Sequence, residues 1–141
     1  MELSFSLIFL SIMYLHSNGQ TIDWQQTSHW KIYKIHHAGS LRLPLDSLQQ
    51  FDHTELGDDS MHYYLHHMAV WPKDKTAVWM GAFTTTCELG QRIRKVDISA
   101  YGGFLFDEVS RRYYELPERF SDDWLAFLHR AMEQMSSKSE K

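Results

Sequence analysis

Two histidines four residues apart, His62 and His66, have the spacing in this chain best suited to shared chemistry, and His67 stands beside them. On a helix that spacing stacks the two side chains on one face, so their imidazoles could converge on a zinc or copper ion. Asp58 and Asp59 lie three or four residues earlier and could add a carboxylate. The pattern is not the HExxH of zinc proteases, because Tyr63 follows His62 and no general-base glutamate lies between the histidines. Two ligands do not make a site, and nothing in the sequence brings His36, His37 or His53 near this pair. The plain alternative is a pair of boundary residues whose rings pack while their nitrogens meet water.

Other reactive groups point to structure more than to catalysis. Cys87 is the single cysteine, which excludes an intrachain disulfide and a thiolate metal cluster. It sits in a stretch rich in Val, Trp, Phe and Thr, without the helix start or glycine turn that activates a thiol, and reads as a buried strand residue. Carboxylate pairs at Asp58/Asp59, Asp107/Glu108, Glu115/Glu118 and Asp122/Asp123 fall at helix starts and turns, where capping and solvation account for them. No catalytic constellation emerges, so an enzyme is the weaker expectation.

A second set of residues suits recognition. Arg92 and Arg94 share a face by the two-residue strand period, and Arg112 lies on a later strand of the same sheet. Trp79 and Tyr113 are strand aromatics that a sheet covered on one side would leave exposed on the other. Together Arg92, Arg94, Arg112, Tyr113 and Trp79 form the expected docking surface for a protein or other macromolecule.

The elements that carry these groups follow from patterning. Thr76–Glu88, Arg92–Ser99, Phe104–Phe106 and Arg112–Leu116 read as strands, with turns at Leu89–Gln91, Tyr101–Gly103 and Asp107–Arg111. Connections this short force antiparallel neighbours, so they predict a four-stranded meander, five-stranded if His29–His36 joins it. Asp52–Gly57 reads as a loop. A short helix is expected at Leu45–Phe51. A firmer one runs from Asp58 to Trp71, capped by Asp58 or Asp59, with Met61, Tyr64, Leu65 and Met68 in one stripe. A last helix starts near Ser121 and buries Phe120, Trp124, Phe127, Leu128, Ala131 and Met135. The expected fold is α+β: the meander, with two or three helices packed mainly on one face.

Composition agrees with one packed domain. The chain has 141 residues, 43% hydrophobic, with 5 Trp, 7 Tyr and 8 Phe to fill a core. A net charge of −4 argues against nucleic acid as the partner, because phosphate contacts need many basic groups. Leu3–Leu15 is apolar and uncharged, and 13 helical residues rise only about 20 Å, short of the ~30 Å membrane core. Ser17 and Gly19 then offer the small side chains of a signal-peptidase site, although Glu2 stands where a positive charge is usual. Residues 1–19 are therefore expected to be a signal peptide, and 20–141 a single domain with no stable membrane insertion after cleavage. The destination would be periplasmic or extracellular. The expected function is a small exported, non-enzymatic binding module, inhibitor-like or toxin-neutralising, with no cofactor. The alternative is a small metal-dependent or hydrolytic enzyme centred on His62 and His66.

Overall fold

The computed structural model describes residues 21–35, 43–75, 77 and 82–138. Its spine is the hairpin of β4 (Ala82–Leu89) and β5 (Arg92–Ser99), joined through Gly90 and paired without a slip from Ala82↔Ser99 to Leu89↔Arg92. β6 (Phe104–Asp107) and β7 (Arg112–Glu115) continue the antiparallel meander. The turn between β5 and β6 needs both of its glycines, for different reasons. Gly102 has a φ of +75°, and a Cβ on Gly103 would meet the Leu116 Cβ at 2.8 Å. Gly103 O also accepts from Leu116 N at 2.8 Å, which pulls the end of β7 against the turn.

The sheet is larger than the sequence patterns predict: seven strands in the order β2-β1-β4-β5-β6-β7-β3, all neighbours antiparallel. β1 (Thr27–Tyr33) flanks β4 as the fifth strand. The two extra strands lie where a loop and a helix were expected. β2 (His53–Glu55) pairs with β1, and β3 (Ala69–Val70) pairs with β7. Strands this short carry almost no period of their own. They form because an edge strand presents unpaired N–H and C=O groups that a passing backbone satisfies. For the same reason helix α1 (Asp58–Leu65) stops well before Trp71. Its N-cap is Gly57, with no side-chain cap, so Asp58 and Asp59 act instead as first-turn charges favoured by the helix dipole.

Helices α1 and α2 (Ser121–Lys138) cover one face of the sheet. Register puts Trp30, Ile32, Phe83, Val96, Ile98, Leu105 and Tyr114 on that face, where they meet Met61, Leu65, Trp124 and Leu128. The lead-in Thr21–Gln26 closes the end of this core. Trp24 packs edge-on against Tyr114 at 4.9 Å, and Ile22 N donates to the Tyr114 hydroxyl at 3.1 Å. The 3-10 turn Leu45–Gln50 lies on the other face, with Leu48 buried and sharing a cleft with Tyr33 and Thr86. The expected signal segment, Trp79, His36 and His37 lie outside the described residues. No helix among the described residues is long and apolar enough to cross a membrane.

Tyr114→Phe keeps the ring but removes the acceptor of the buried Ile22 amide. Urea unfolding should show a loss of about 1–2 kcal/mol, and hydrogen exchange at Ile22 should accelerate more than at core amides of β5.

Candidate functional site

The histidine pair is placed on α1 as expected, but its nitrogens are unequal. His62 is half-buried, and its Nε2 lies 2.7 Å from Thr27 O, a contact that requires that nitrogen to carry the proton and donate it. A metal would have to displace this bond or use Nδ1. His66 is exposed and packs edge-on against His67, which stacks on Phe120 at 4.3 Å. Among the described residues, no three His, Cys, Asp or Glu side chains gather as a metal cage. Cys87 is buried, and desolvation pushes its thiol up to about 12, so it stays protonated and poorly nucleophilic at neutral pH.

The residues expected to dock a partner divide between the two faces. Arg92, at the turn end of the β4–β5 hairpin, is exposed. Arg94 lies two residues further along, on the helix-covered face, and is committed to Asp107. Its Nε and Nη2 donate to the two carboxylate oxygens at 3.3 and 2.5 Å. Arg112 stands opposite Asp107 in the β6–β7 register, and its Nη2 donates to Trp71 O at 3.1 Å. Tyr113 points the other way, onto the opposite face.

There it joins a row of rings that the sequence pattern only partly reveals. Phe104 and Phe106 alternate with buried Leu105 along β6, and Trp71 follows β3 at the sheet edge. Phe106 and Tyr113 are cross-strand neighbours with ring centroids 4.7 Å apart. Trp71 meets Phe104 edge-on at 5.1 Å and lies 6.5 Å from Tyr113. All four rings are half-exposed. Glu115 accepts from Trp71 Nε1 at 2.8 Å, which fixes the indole, and the Arg111 guanidinium sits 5.9 Å from the Phe106 centroid.

The turn behind this row is held by a charge. Asp107 is fully buried, and its carboxylate accepts from Arg94 and from Ser110 N at 3.0 Å and Ser110 Oγ at 2.5 Å. Arg111 N donates to Asp107 O at 2.8 Å, closing the turn with Arg111 at a φ of +56°. A left-handed arginine costs about 1–2 kcal/mol, which the bonds at Asp107 offset. Sequence offered one cue to this arrangement, the adjacent Tyr113 and Tyr114, which a strand must direct to opposite faces. It offered no cue that Asp107 would be buried while Arg111 remained out over Phe106.

The chain was compared with protein-family models, curated proteins and solved structures, and none matches it.

Asp107→Ala leaves Arg94 uncompensated and frees Ser110, and thermal or urea unfolding should register a loss of about 3–5 kcal/mol. Cys87 should resist iodoacetamide at pH 8 in the folded protein and react readily in urea, as counted by mass spectrometry.

Proposed function

We propose that the chain is a small exported, non-enzymatic binding module that docks a protein partner on the aromatic face of β6 and β7. The observation that carries this reading is the continuous row Trp71, Phe104, Phe106 and Tyr113, each half-exposed on one side of the sheet. Aromatic side chains bring large apolar area with few rotors to freeze, and together with arginine they dominate interface energetics. The row is also held in place before any partner arrives. Glu115 fixes the indole, and Asp107 fixes the turn from which Arg111 reaches Phe106. Such preorganisation lowers the ordering cost of association. Export rests on the apolar, uncharged Leu3–Leu15 segment and the small residues that follow it. An inhibitor-like or toxin-neutralising role fits a face preorganised in this way. The metal-dependent alternative leaves His62 only Nδ1 unless its short bond to Thr27 O is given up, with no three ligands gathered among the described residues, and draws less support from the geometry.

A photoreactive benzoylphenylalanine placed at Phe106, at Tyr113 or, as a control, at exposed Tyr63 on α1 separates the outcomes in the expressing cell. Discrete protein adducts from the first two positions and none from the third are expected. A doubly substituted Phe104→Ala, Tyr113→Ala chain should lose the adduct formed at position 106. Equal labelling at all three positions would count against the aromatic face as the docking surface.

A further inference from the structure

Alternation along β5 places Lys95, Asp97 and Ser99 on the face opposite the helices, a pattern that normally signals a solvated side. All three are buried here, at 4%, 1% and 0% exposure. Lys95 Nζ lies 3.0 Å from Glu108 Oε1 and 3.5 Å from Asp97 Oδ1. Among the described residues, two carboxyl groups thus meet one ammonium, with one negative charge in surplus. Among the described residues, Asp97 Oδ1 has only this long contact with Lys95, and the buried Thr84 Oγ1 across the strand pair has no hydrogen-bond partner. Asp97 is flanked on this face by Thr84 and Thr86 of β4, by Phe106 of β6, and by Lys95 and Ser99 of its own strand. Glu108 reaches in from the turn after β6. Among the described residues, Lys95 and Glu108 are the ionisable groups that act on the Asp97 carboxyl.

A buried carboxylate that must share one ammonium with a second carboxylate is costly, and the usual remedy is neutralisation. A proton does this in one step. It cancels the surplus charge and turns Asp97 from an acceptor into a donor that Glu108 can receive. A metal cation would instead have to sit against the Lys95 ammonium.

We propose that Asp97, gathered with Glu108 around the Lys95 ammonium, is a buried proton-binding carboxyl that is protonated on the acid side of neutrality and ionised on the alkaline side. Water supplies and removes the proton through Glu108, whose side chain is 33% exposed. No bond other than O–H forms or breaks. Burial pushes the Asp97 carboxyl up to about 7; the Lys95 charge opposes this, and the hydrogen bond and charge of Glu108 add to it. A carboxyl whose pKa is raised on folding contributes stability that is fully present below its unfolded value. That stability is lost as pH rises through about 7. Phe106 stands directly across from Asp97 in the β5–β6 register, so the charge appears beside the aromatic row as Asp97 deprotonates. The proton site stands whether or not that row docks a partner.

Urea unfolding of the full chain and of Asp97→Asn across pH 5 to 8.5 tests the pair. The readout is the ratio of the two unfolding constants, in which the contribution of every group common to both chains cancels. The wild-type constant should rise against that of D97N by up to about tenfold per pH unit towards pH 7, then level off. With Glu108→Gln the rise should move to lower pH, because the competing charge is gone. The 13Cγ resonance of Asp97 in the wild-type chain gives the same answer without any variant, with a titration midpoint expected near neutrality. A midpoint in the ordinary carboxylate range, or a ratio that stays flat from pH 5 to 8.5, overturns the proposal.

Discussion

The outer part of the sheet depends on one buried carboxylate. Asp107 ends β6 on the helix-covered face, where an uncompensated charge would not be tolerated. Arg94 supplies the countercharge from β5, and Ser110 supplies two donors from the turn. These bonds tie three consecutive elements, β5, β6 and the turn into β7, at one point. Without them Arg111 would have little reason to stay in a left-handed conformation, and the β6–β7 register that aligns Phe106 with Tyr113 would lose its anchor.

The two faces of the sheet solve burial differently. Under the helices the core is apolar and aromatic, closed at one end by Trp24 and the Ile22–Tyr114 bond. The other face is graded. It runs from buried threonines on β4, through the Lys95–Asp97–Glu108 group, to half-exposed rings on β6 and β7. Polar groups packed away from water need each other, and among the described residues the ionic group next to the aromatic row sets two carboxyls against one ammonium. Ring positions and proton occupancy therefore belong to one neighbourhood of the fold, joined through Phe106 and Asp97.

Much of the architecture was legible in the residues. The hairpin of β4 and β5, the Tyr101–Gly103 turn and the apolar stripe of α2 follow from alternation, from glycine and from the helical period. β2 and β3 were not legible, because a two- or three-residue strand is made by the edge it pairs with and not by its own composition. The site was legible in outline only. Tyr113 had to oppose Tyr114, but a strand period does not say which basic residue will be consumed by a buried acid, and Arg94 and Arg112 were both drawn towards Asp107 and Trp71.

Local chemistry in the sequence was enough to determine an α+β domain with an aromatic-rich core, a single unpaired cysteine and an antiparallel meander. The tertiary structure alone decided which of the two alternating faces is sealed. On β5 both are, so Lys95 and Asp97, polar residues at positions that look solvated, became a buried ionic group. Alternation is a property of one strand, whereas burial depends on what other segments lay against it. That information lies in contacts between residues far apart in the chain.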